Sequence, residues 1–207
     1  MWDAIFSIPP GQFLTFLIGG LIVNFAPGQD MVFATACGIQ GGPRVGAAAG
    51  FGAGVGVLWH VTLAALGLSA LVAAHPGALS VIKYAGAAYL LYIAWKSWRA
   101  GALPQGRGVP SLRRAFLRGV LSNMLNPKPI LFFLAFLPQF VNPEAGPVWR
   151  QVVLLGLIFA FNGTWTTMLY GWLAGHAGHA LGARMAVVNK VAAVLFAGLA
   201  ARLILTE

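Results

Sequence analysis

Two charged side chains stand in stretches otherwise apolar enough to lie within a bilayer, and each stands beside proline. Asp30 follows Pro27, Gly28 and Gln29, with Asn24 one turn before the proline. Lys128 lies between Pro127 and Pro129, with Asn126 just before Pro127 and Asn123 about one turn before that proline. A charge at the centre of a membrane helix costs ~2.5 to 3.5 kcal/mol even on the lenient insertion scale, so each needs a partner. A salt bridge between the two, direct or through water, would neutralise both. It would act either as a fixed pair or as a switch that opens when a solute or a proton competes for the charges.

The prolines add a second kind of chemistry. Proline removes an amide donor and clashes with the carbonyl one turn earlier, so the chain must open near Pro27 and again near Pro127 and Pro129. Opened backbone cannot face lipid and is tolerated only against protein or a water-filled cavity, where it can bind polar parts of a solute. A single proline reads as a packing kink, whereas two at matched positions, each with an asparagine before it, read as a binding site. The candidate substrate-binding residues are therefore Asn24, Pro27, Gly28, Gln29, Asp30, Asn123, Asn126, Pro127 and Lys128.

Other polar residues carry two readings each. His60, deep in an apolar stretch, suits either a proton relay or a hydrogen-bonded packing histidine. Asn162, Thr164, Thr166 and Thr167 either line a cavity or bond to neighbouring helices. Gly46, Gly50 and Gly54, spaced at four, form a small-residue stripe read as close helix packing, and Lys83, Tyr84, Lys96 and Trp98 read as interfacial anchors. The single cysteine, Cys37, has no partner for an internal disulfide or a thiol shuttle. Ser122 has no base near it in sequence for nucleophilic catalysis. His75, His176 and His179 fall at helix ends or in loops, short of the clustered Cys, Met or His of a metal exporter. No enzyme, cofactor or resident metal is expected.

Composition decides which elements hold these residues. Of 207 residues 59% are hydrophobic and 8% charged, and the mean hydropathy is +0.81, against roughly 25% charged residues in a soluble domain. The bilayer must take the apolar excess. The net charge of +9 does not indicate nucleic acid: six of the thirteen Lys and Arg lie between Lys96 and Arg118, as topology-setting charge does. Six stretches reach the ~20 apolar residues of a membrane helix: Phe13 to Ala36, Val45 to Leu71, Leu79 to Trp98, Phe116 to Val141, Val148 to Leu173 and Val187 to Leu205. Turn signals separate them at Gly41-Gly42-Pro43, His75-Pro76-Gly77, the polar run Gly101 to Arg114, Asn142-Pro143, and Gly175 to Gly182. The N-terminus lacks a basic leader and is read as retained.

The sequence also repeats itself. Gly-x-x-x-Asn followed by a proline break occurs at Gly20 to Asn24 and again at Gly119 to Asn123, an offset of 99 residues. Each half is then a three-helix unit, residues 1–100 and 115–207, joined by a loop at about 100–114 within one transmembrane domain. Three crossings per unit invert the second copy relative to the first, a signature of secondary transporters. The basic third connection should be cytoplasmic, which places both termini outside the cytoplasm. The expected fold is all-α, with two inverted three-helix repeats and broken first and fourth helices. The same packing is compatible with a homo-oligomer.

At Pro27-Gly28-Gln29-Asp30 and Asn126-Pro127-Lys128 the sequence resembles the LysE/RhtB family of bacterial amino-acid exporters. The likeness runs along nearly the whole chain, through Gly67-Leu68-Ser69, the run from Lys83-Tyr84 to Tyr89-Leu90-Leu91, and Phe132-Phe133 leading to Pro138-Gln139-Phe140. That family usually reads Pro-Gly-Pro-Asp, and here Gln29 replaces the second proline with an amide able to hydrogen-bond. The resemblance implies export of amino acids or related small zwitterionic metabolites across the bacterial plasma membrane, driven by the proton gradient. A heavy-metal exporter of related fold is the alternative. By analogy with inverted-repeat transporters the halves would rock about the breaks. Helix N-termini would then receive a carboxylate, and exposed carbonyls with Asp30 an ammonium.

Overall fold

The computed structural model describes residues 8–74, 78–100, 108–177 and 180–205. Among these residues every regular element is helical. In chain order they are α1 (Pro10–Phe25), α2 (Gln29–Gly41), α3 (Pro43–Ala74), α4 (Ala78–Arg99), α5 (Leu112–Met124), α6 (Pro127–Ala135), two 3₁₀ turns (Leu137–Phe140 and Pro143–Ala145), α7 (Val148–Ala177) and α8 (Ala180–Leu205).

Both expected breaks are present. The residue before a proline is pushed out of the helical region. Accordingly Ala26 (ψ 128°) ends α1 ahead of Pro27, and Asn126 (ψ 120°) precedes Pro127, the first residue of α6. The chain turns by 51° between α1 and α2 and by 43° between α5 and the α6 segment. Each break spans only a few residues, so both arms of each pair stay in register as one bent rod.

Close packing is built on glycine. A side chain at Gly46 would collide with the Gly171 carbonyl, one at Gly50 with the Met168 backbone, and one at Gly54 with the Thr164 hydroxyl. The ascending and descending numbers show α3 and α7 running antiparallel with their backbones in contact, as the four-residue stripe requires. On another face α3 takes α5 alongside it, with Gly52 against Phe116 and Gly119 against Ala49. Away from this glycine seam the core is aromatic. Phe16, Phe132, Phe133, Phe136, Phe140 and Phe159 are all buried, and the Phe132 and Phe159 rings stack at 4.3 Å. On the outside of α1, Leu14, Ile18, Leu21 and Phe25 share one stripe and are 38% to 56% exposed. Such a stripe suits lipid.

Among the described residues two segments are long and apolar enough to cross a membrane, Pro43–Leu68 and Val148–Ala177. The bent pairs α1–α2 and α5–α6 also qualify when each is taken as one crossing, which gives up to four. That is short of the six expected. The remaining two stretches fall in α4 and α8, 22 and 26 residues long, and parts of both lie outside the described side chains. Several boundaries move. The fourth stretch starts four residues early, at Leu112, with Ser111 as the N-cap residue whose carbonyl accepts from Ala115 N at 2.8 Å. The fifth continues through Gly175 to Ala177 because Gly175 packs on Pro43. The turn at His75-Pro76-Gly77, the segment 101–107, and His179 lie outside the described residues.

Candidate functional site

The two breaks face each other, and each supplies what the other lacks. Where α1 ends, the carbonyl of Ala26 has no helical partner, and Lys128 Nζ donates to it at 2.7 Å. A cation at a helix C-terminus is the electrostatically favoured arrangement. In the first turn of α2, Asp30 reaches across to the other break. Its Oδ2 accepts from Asn123 Nδ2 at 2.7 Å and Asn126 Nδ2 at 2.8 Å, and its Oδ1 accepts from Ser122 Oγ at 3.1 Å. Gln29 Nε2 adds longer contacts to Ser122, at 3.3 Å to the hydroxyl and 3.4 Å to the carbonyl. The residue that departs from the usual family motif therefore also ties α2 to α5.

Of the two forms of salt bridge expected between Asp30 and Lys128, direct or through water, the direct one does not form. Each charge is instead satisfied by neutral groups of the opposite break: amides and a hydroxyl for the carboxylate, a carbonyl for the ammonium. The reason is geometric. A proline break exposes carbonyls on one side and needs an N-cap on the other, and these dipoles lie nearer to each charge than the other charge does. Asn126 serves twice, since its Oδ1 also caps α6 by accepting from Lys128 N at 3.0 Å.

His60 belongs to this network. It is 2% exposed, and its Nε2 lies 2.8 Å from the Asn123 carbonyl. A carbonyl can only accept, so Nε2 carries the hydrogen in that contact. Both His60 Nδ1 and Asn123 Oδ1 are buried without a partner. Asn24, on the opposite wall, donates through Nδ2 to the Phe159 carbonyl at 3.3 Å.

Between the breaks lies a cavity of about 40 Å³, room for roughly three waters. Asn24, Gly28, Asp30, Asn123, Asn126 and Lys128 line it, as do Gly163 and Thr167. Of the residues singled out in the sequence, Pro27, Gln29 and Pro127 shape the breaks without lining this cavity, and Asn162 does not line it. Thr164, Thr166 and Thr167 bond back to carbonyls of their own helix at 2.6 to 2.9 Å. Ser122, set aside as a nucleophile, is a ligand of Asp30. Its place beside Asn123 and four residues before Asn126 was the available signal. Thr167, one of the threonines expected either to line a cavity or to bond to a neighbour, does line it; Gly163 gave no signal, because nothing in the sequence locates α7 against the breaks.

Residues 21–207, which include both breaks, match the family described as LysE type translocator. The chain belongs to the LysE family. Among its relatives, an uncharacterized membrane protein of Vibrio cholerae is 35% identical over 147 residues, 70% of this chain and 71% of that one. A homoserine/homoserine lactone efflux protein of Salmonella typhi is 33% identical, covering 69% of this chain and 70% of its own. A leucine efflux protein of Salmonella choleraesuis is 28% identical over 93% of this chain and 94% of its own. No solved structure matches the chain.

Proposed function

We propose that this LysE-family protein is a proton-coupled secondary transporter that exports amino acids, or related small zwitterionic metabolites, from the cytoplasm. The observation that carries the reading is the pair of facing helix breaks, cross-linked by Asp30 and Lys128 around a polar cavity. Polar groups of this kind are costly in a membrane bundle and are retained where a solute must be received. The efflux functions named for the Salmonella relatives favour an amino-acid cargo over a metal ion. A cavity of about 40 Å³ is too small for an amino acid. Export therefore requires the cross-links to open and the helix arms to move apart.

The proposed architecture is one domain of six crossings in the bacterial plasma membrane, with two inverted units at about 1–100 and 115–207 and both termini outside the cytoplasm. The matched breaks and the antiparallel contact of α3 with α7, the second long helix of each unit, support it. α4 and α8, which pack on each other, would be the third helices, and at 1.5 Å per residue each is long enough for a crossing. A reporter fused to the C-terminus and active only in the cytoplasm should stay silent.

Export is tested by loading cells with dipeptides and following which amino acids leave faster when the protein is present. Asp30→Asn should abolish that difference while the amount of protein in the membrane is maintained. Undiminished export by this variant would sink the proposed role of the breaks. Dissipating the proton gradient should slow export, and an unchanged rate would remove the coupling from the proposal.

A further inference from the structure

While the two breaks stay cross-linked, Asp30 has little capacity left for a substrate ammonium. A carboxylate has about four acceptor sites, and three of those on Asp30 are already filled by Asn123, Asn126 and Ser122. Lys128 is in the opposite condition. An ammonium has three donors, and here one is used, on the Ala26 carbonyl. The side chain lines the cavity beside Gly28, where an added Cβ would stand 3.5 Å from Nζ. Glycine there leaves the approach to the ammonium clear.

The backbone at the same place has little to offer an anion. Pro127 and Pro129 have no amide hydrogen, and the amide of Lys128 is taken by Asn126 Oδ1. The start of α6 therefore lacks the free donors that make helix N-termini anion sites, and the side-chain charge is what remains. Across the cavity, Asn24 spends one of its two amide hydrogens on the Phe159 carbonyl, and its Oδ1 is a neutral acceptor.

We infer that Lys128 is the ligand for a substrate carboxylate, and that Asp30 is a positioning residue that holds the two breaks in register. The inference rests on the exporter reading and narrows it. A carboxylate would meet a full opposite charge, whereas the amine would meet only the Asn24 amide oxygen and a carboxylate already nearly saturated. The substrate class is therefore small carboxylic acids with a polar group on the α-carbon, in which the acid is required and the positive charge on the amine is dispensable; this requirement would set the chain apart from its relative named also for homoserine lactone, a solute without a carboxylate.

Inside-out membrane vesicles, which expose the cytoplasmic face, provide the test. Labelled leucine and homoserine are offered, and uptake of whichever accumulates is challenged with its amide and with its 2-hydroxy acid analogue. The hydroxy acid is expected to compete within about threefold of the amino acid, and the amide at least about tenfold more weakly, since a charge-assisted hydrogen bond is lost. Lys128→Arg should keep this preference and Lys128→Gln should abolish it. For Asp30→Asn, ligand-induced thermal stabilisation of the purified protein should show the same preference of acid over amide, although transport is lost. An amide that competes as well as the acid in the wild type, or a preference that survives Lys128→Gln, overturns the assignment and leaves the exporter reading standing. If neither amino acid accumulates in the wild type, the exporter reading falls and the assignment falls with it.

Discussion

Replacing Asp30 by alanine should loosen the whole bundle, because one carboxylate joins α2 to α5 and to the residue that caps α6. Three donors lose their acceptor, and two of them, the Asn123 and Asn126 amides, belong to side chains only 3% and 5% exposed. A hydrogen bond to a charged group contributes ~1.5 to 3 kcal/mol. Summing three such bonds overstates the loss, for two reasons: the buried charge itself carries a desolvation cost that the substitution removes, and waters can enter the cavity to meet the orphaned amides. A net loss of about 3 kcal/mol is expected, which for a chain of 207 residues lowers the melting temperature by roughly 6 to 12 °C. Asp30→Asn keeps the shape and one acceptor oxygen, so it should lose about half as much. The seven tryptophans allow unfolding of the detergent-purified protein to be followed by intrinsic fluorescence. If Asp30→Ala melts within about 2 °C of the wild type, or if the asparagine variant falls as far as the alanine variant, the cross-break network does not hold the helices together.

Exchanging the charges, Asp30→Lys with Lys128→Asp, should restore neither membrane insertion nor export, because each charge is satisfied by neutral groups of the opposite break; recovery measured by membrane protein amount would point to a direct pair. Gly171→Leu should deplete folded protein, since the new side chain meets the Gly46 backbone and overpacking costs ~1 to 3 kcal/mol or more. Gly67→Ala, with nothing within 4 Å of the new atom, should be neutral or slightly stabilising in the same expression assay. His60→Ala removes the side-chain donor at the Asn123 carbonyl and should lower thermal stability by about 1 to 3 kcal/mol, with His60→Gln recovering part of it; equal melting of all three proteins would make that contact incidental.

Some features of this protein were determined by local chemistry and could be read from the chain alone. Proline has no amide hydrogen in any environment, so the breaks at Pro27 and Pro127 follow from the sequence. The pairing of glycines at Gly46, Gly50 and Gly54 with a close neighbour follows because only backbone can approach a bare Cα so nearly. Apolar content likewise settled the bilayer as solvent. What the chain could not disclose is which dipole each charge meets. Asp30 and Lys128 each stand beside a proline break, and on charge alone a salt bridge between them, direct or through water, was expected. The tertiary fold instead brought the Ala26 carbonyl to one and the Asn123 and Asn126 amides to the other. Hydrogen-bond partners depend on ångström-scale placement of elements roughly a hundred residues apart, and residue types and spacing hold no record of that placement.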